Sequence, residues 1–127
     1  PTTEESARAA KKFKMETVMG GPNIVRGGSH SGNISASYLA ELDLLDAISS
    51  DYAPSSLLHS AFILNSKHGI QLPKAISKVT EVPAKMVGLS NRGVLKNGFR
   101  ADLLEVELTK DHIPIVHRAI SKGKRVI

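Results

Sequence analysis

The chain contains no cysteine and no tryptophan. Without cysteine there can be no disulfide and no thiolate zinc site, so a metal would have to be held by His, Asp or Glu. Aromatic residues make up 4% of the chain, which leaves Leu, Ile, Val and Ala to fill the interior. None of them interleaves with basic residues as a stacking platform for single-stranded nucleic acid requires. No apolar run is long enough to span a bilayer and no signal peptide is recognisable. The expectation is therefore a cytoplasmic protein with neither nucleic acid nor membrane as partner. No methionine opens the chain; Pro1 does, which points to a fragment or a processed chain.

What is present is enough for one modest domain: 127 residues, 41% of them apolar, can bury a core. A net charge of +5 suits anionic ligands. The basic tail Lys122-Gly123-Lys124-Arg125 reads as a solvated turn.

The N-terminal stretch is a helix, residues 2 to 14, because Thr2 and Glu5 have capping-box spacing and Ala7, Ala10 and Phe13 recur at helical intervals. A short β-prone segment over residues 16–19 follows, stopped by Gly20-Gly21-Pro22. Beyond it lies a polar loop, residues 23 to 33, rich in glycine and serine. Glycine lets a backbone approach a ligand closely, and successive exposed N–H groups can cradle an anion. Arg26, Gly27, Gly28, Ser29, His30, Ser31 and Asn33 are the candidate anion-binding residues. A plain surface loop is the alternative.

The stretch Ala47-Ile48-Ser49-Ser50-Asp51-Tyr52-Ala53-Pro54 reads as a short buried strand running into a carboxylate, with Pro54 in the first turn of the next helix. Asp51 then stands at the carboxyl end of a strand, where parallel α/β folds gather ligands and catalytic groups. The plainer alternative is that Asp51 caps the helix that follows. That helix carries Leu57, Leu58, Ala61, Phe62 and Leu64 at mixed three- and four-residue spacing and stops at His68-Gly69. Ser35 caps an earlier short helix. Leu72-Pro73 and Val82-Pro83 open two more. From residue 91 the signals are those of an antiparallel patch, with strands at 102–108, 113–120 and 125–127. The domain organisation is thus 1–90 and 91–127. None of the five histidines forms a His-x-His pair.

Four blocks in this order, Met19 to Asn33, Ser49-Ser50-Asp51-Tyr52, Val79-Thr80 with Pro83-Ala84, and Gly93 to Leu103 with Ala101-Asp102-Leu103, resemble the C-terminal part of the amidohydrolase superfamily. Within it they resemble the phosphonate-metabolism enzymes of the carbon–phosphorus lyase pathway. The Gly93 to Leu103 ending is shared widely in that superfamily, whereas the Asn23 to Asn33 loop is more specific. The resemblance implies a TIM-like (β/α) barrel, of which residues 1–90 would be the last units, and a composite β-domain to which 91–127 belong. It implies hydrolysis of ribose 1-methylphosphonate triphosphate with release of pyrophosphate. It implies that Asp51 is catalytic, binding a divalent metal, zinc by expectation, and shuttling a proton from the attacking water. The other metal ligands of the family have no counterpart here. The expectation is an inactive fragment that binds no metal alone, lacks an N-terminal barrel half and self-associates as a homo-oligomer. A non-catalytic anion-binding or interaction module is the alternative.

Overall fold

The structure is a computed structural model and describes residues 1–29 and 31–127. The first helix, α1 (Glu4–Lys12), is capped by Thr3, whose hydroxyl accepts from the Ser6 N–H while Ser6 returns a bond to the Thr3 backbone. The capping box is therefore one residue later than Thr2 and Glu5 suggest, and a serine replaces the glutamate. Ala7 is the residue of α1 that the core takes in.

Strand β1 (Val18–Gly20) pairs in parallel with β2 (Ala47–Ser49), in the register Val18 to Ala47, Met19 to Ile48 and Gly20 to Ser49. Parallel strands need a crossover. Here it is two short helices, α2 (Gly21–Arg26) and α3 (Ala36–Glu41), the second capped by the Ser35 hydroxyl as expected. The helix α2 was not expected. Gly20-Gly21-Pro22 looks like a stop, yet Pro22 occupies the first turn of a helix, where its missing N–H is no loss. The loop between β1 and α3 consequently begins only at Gly27.

Pro54 does not open the next helix. Residues 51 to 55 make turns, and α4 (Ser56–His68) starts two residues after the proline. Gly69 closes α4 in the left-handed conformation, as the sequence indicates. The α4 helix buries Ala61, Phe62, Ile63 and Leu64 in succession, so neighbours cover more than one of its sides. It is the central helix of a core formed with Ile24, Leu39, Leu45 and Ile48. Two short helices follow: α5 (Leu72–Ser77) packs on α4, and α6 (Glu81–Met86) touches β2.

The second sheet is antiparallel, in the order β3 (Leu103–Leu108), β4 (Pro114–Ser121), β5 (Lys124–Arg125), with an irregularity between Glu105 and Val106. Val94-Leu95 lies outside it. The patch begins at Leu103 rather than at residue 91, because the Gly93 and Gly98 turns, both at positive φ, leave no partner strand between them. The molecule is thus α/β, with one parallel pair and one small antiparallel sheet. Among the described residues no helix is long and apolar enough to cross a membrane.

Candidate functional site

The two ends of the parallel pair are chemically different. At the amino end the Thr17 N–H and hydroxyl both bond Asp46, the Thr17 hydroxyl also reaches the Leu44 carbonyl at 2.5 Å, and Lys11 pairs with Asp46. Burial opposes ionisation of Asp46, but the Lys11 ammonium and the Thr17 donors outweigh it and hold the carboxyl below the usual range. Lys78, buried beside this cluster, donates to the Leu45 carbonyl. Every polar group here has a structural task.

At the carboxyl end stands Asp51, two residues beyond β2, in the left-handed conformation with φ 51°. Aspartate is one of the few residues that tolerate it. Among the described residues its exposed carboxylate has neither a hydrogen-bond donor nor a cationic partner. It does not cap α4, whose N-cap is Ser55. Instead the side chain leans across to the neighbouring strand: a Cβ built on Gly20 would lie 2.9 Å from Asp51 Oδ2. The carboxylate therefore sits over the end of β1, where α2 begins.

Arg26 and Tyr52 add the second feature. The Arg26 guanidinium lies over the Tyr52 ring, 5.7 Å from its centroid, a cation–π contact that fixes a long side chain against the residue next to Asp51. Both line a cleft of about 580 Å³ between α2, α4 and the β3–β4 hairpin, with His59, Pro54 and Val116 among its walls. Among the described residues, Asp51 and residues 27–29 and 31–33 do not line that cleft.

The glycine loop does something other than present a row of N–H groups. The Gly27 N–H donates to the Ile24 carbonyl at 3.1 Å and the Gly28 N–H to the Asn23 carbonyl at 2.9 Å, with Gly27 at φ 82°. This pair of bonds is the Schellman closure of a helix. The Ser31 N–H turns back to the Ser29 hydroxyl. The Asn23 side chain accepts from the Ala36 N–H and ties α2 to α3. What the described residues of this stretch leave for a ligand is the Arg26 guanidinium and exposed side chains such as Ser31 and Asn33. His30 lies outside the described residues.

Sequence reasoning missed Tyr52 and Gly20 as members of the site. Tyr52 had no marker beyond its place next to Asp51, and Gly20 looked like punctuation after a strand. A carboxylate of this kind can accept a proton or give one oxygen ligand to a cation, and a guanidinium can grip a phosphate. Among the described residues no three His, Asp or Glu side chains stand together as a metal site. A catalytic divalent ion takes about three protein ligands, so the described residues do not by themselves fit one.

The chain is similar to the alpha-D-ribose 1-methylphosphonate 5-triphosphate diphosphatase of Escherichia coli (strain K12), with 50% identity over 128 residues. That alignment takes in 99% of this chain but 34% of the relative, so the chain spans about a third of the length of the protein it matches. No family model matches the chain. No solved structure matches it either.

Proposed function

We propose that this chain is the C-terminal portion of a phosphonate-metabolism hydrolase that releases pyrophosphate from ribose 1-methylphosphonate 5-triphosphate. The observation that carries the proposal is the 50% identity to a protein named for that activity, sustained over 99% of the chain. In the proposed reaction water attacks the phosphorus next to the ribose, the bond to the bridging oxygen breaks, and pyrophosphate leaves. Asp51 accepts the proton of the attacking water, since its carboxylate is exposed and has no partner among the described residues. Arg26, braced on Tyr52, is positioned to hold phosphate oxygens, with Ser29, Ser31 and Asn33 as neutral donors on the adjoining loop.

The wider proposal is an amidohydrolase-type protein in which β1 and β2 are strands of a TIM-like barrel completed by further sequence. Asp51 would then give one ligand to a divalent metal, zinc by proposal, whose remaining ligands come from outside these 127 residues. When bound, such an ion supplies charge neutralisation at the phosphates. The proposed setting is the cytoplasm, because a triphosphate ester is too highly charged to pass a membrane unaided. A second reading, a non-catalytic anion-binding module, is favoured by the lack of any three-ligand cluster among the described residues.

Phosphorus NMR of ribose 1-methylphosphonate 5-triphosphate incubated with the whole encoded protein decides between them. The proposal expects the triphosphate signals to give way to pyrophosphate and a 5-phosphate. Binding with no turnover, with zinc supplied, would leave the module reading standing.

A further inference from the structure

Position 20 is one where a side chain would be welcome. Gly20 is the N-cap of α2, and it makes no side-chain cap bond because it has no side chain. Serine, threonine, aspartate or asparagine at an N-cap ordinarily bond an N–H of the first turn and stabilise the helix; with Pro22 in that turn, the N–H such a cap would reach is that of Asn23. Nor does the backbone ask for glycine. Its φ of −74° and ψ of 135° are ordinary extended values that any L-residue adopts. Gly27, by contrast, sits at φ 82° and is glycine for the conformational reason.

The nearest residue that a side chain at position 20 would meet is Asp51. The three heavy atoms nearest to a Cβ built there all belong to Asp51: Oδ2 at 2.9 Å, Cβ at 3.3 Å and Cγ at 3.5 Å. The aspartate cannot swing clear and keep its place. Its Cβ is fixed by a left-handed backbone, and the carboxyl group has only χ1 and χ2 with which to move.

The geometry points to Gly20 as a positioning residue: the missing side chain at the end of β1 is the seat of the Asp51 carboxylate, and a helix cap is forgone to keep that seat open. The role in turnover rests on the hydrolase reading above, whereas the seat itself does not. Gly20→Ala leaves the fold intact, since the obstacle is a side-chain carboxyl at the surface rather than backbone, and it pushes the carboxylate off the end of β1.

The test is made on the whole encoded protein. A crystal structure of the Gly20→Ala variant should show Asp51 in a different χ1 well, and the rate of pyrophosphate release should fall about 100-fold, the scale of an ångström of misplacement, with KM unchanged. A small loss of Tm should accompany it, because the carboxyl is displaced; a purely structural defect would show as a loss of Tm that persists when Asp51 is absent. The coupling is read independently by repeating Gly20→Ala in an Asp51→Gly background, where its effect on Tm should turn neutral or positive as the obstacle disappears. An unmoved Asp51 side chain, or an equal Tm change in both backgrounds, overturns the seat. A displaced carboxylate with undiminished turnover overturns its role in the reaction. If the wild-type protein releases no pyrophosphate, the hydrolase reading fails while the structural arms still decide the seat.

Discussion

Lys78 shows how a single side chain in this fold couples to pH. It is 4% exposed, with its ammonium on the Leu45 carbonyl. Burial pushes its amine below the usual lysine value. Of the charges around it, Asp43 and Asp46 oppose that shift while Lys74 and Lys11 add to it. The unfolded chain therefore holds more protons than the folded one between that lowered value and the usual one of about 10.4, and stability rises with pH across this window. Lys78→Met keeps the length of the side chain and removes the titration. Urea midpoints should climb toward alkaline pH in the wild type relative to the methionine variant; parallel curves would refute the assignment. Tyr38, whose hydrogen bond to Glu4 raises its hydroxyl, titrates in both proteins and cancels in the difference. Asp46 works at the other end of the scale. Its stabilisation is present above the usual carboxylate value near 3.9 and fades as pH falls through its lowered folded value. Asp46→Asn should cost about 2 kcal/mol at neutral pH and flatten the acid limb of the stability curve. An unchanged acid limb would mean that the Lys11 and Thr17 contacts contribute nothing.

Among the elements, α2 and α4 decide how the carboxyl end of the strands is built. A Cβ on Gly21 would lie 2.5 Å from Ser56 Oγ and 3.0 Å from Ser60 Oγ, both hydroxyls on the face of α4 that α2 packs against. Ser60 also bonds the Gly21 carbonyl at 3.1 Å. Gly21→Ala should thus wedge the helices apart and cost about 1–3 kcal/mol, seen as a lower urea midpoint. An unchanged midpoint would show that the contact yields freely. Neighbouring glycines at 20 and 21 have different tasks, one toward a carboxylate and one toward a helix. That difference was not legible in the sequence, where Gly20-Gly21-Pro22 is indistinguishable from a turn. The buried Ala47-Ile48 pair, the Gly69 helix stop, the Ser35 cap and the existence of the strands after Asp102 were legible, because each is set by a local preference. Pro54 misled because proline suits the turn preceding a helix as well as its first residue. The role of Gly27 and Gly28 in closing α2 became visible only once α2 itself was known.

At the scale of the whole molecule, the surface carries large apolar side chains that a small domain ordinarily buries. Phe13 is 72% exposed and Leu95 85%, and Leu104 and Ile115 on the antiparallel sheet are about half exposed. Beside that sheet runs an apolar groove of about 840 Å³, between β3 and the helices α4 and α5, with Phe62, Ile76 and Leu103 in its walls. Patches of this kind mark surfaces that meet other protein. The 127-residue chain alone should therefore associate as its concentration rises, with a light-scattering mass well above 13.6 kDa; a monomer at every concentration would contradict this. The hydrolase reading stands on the free carboxylate over the end of β1, and Asp51→Asn probes that group alone, being nearly isosteric and unable to take the proton. In the whole encoded protein, pyrophosphate release from ribose 1-methylphosphonate 5-triphosphate should fall by about 100-fold or more, with Tm unchanged. An asparagine variant as fast as the wild type would remove Asp51 from the chemistry and the account with it.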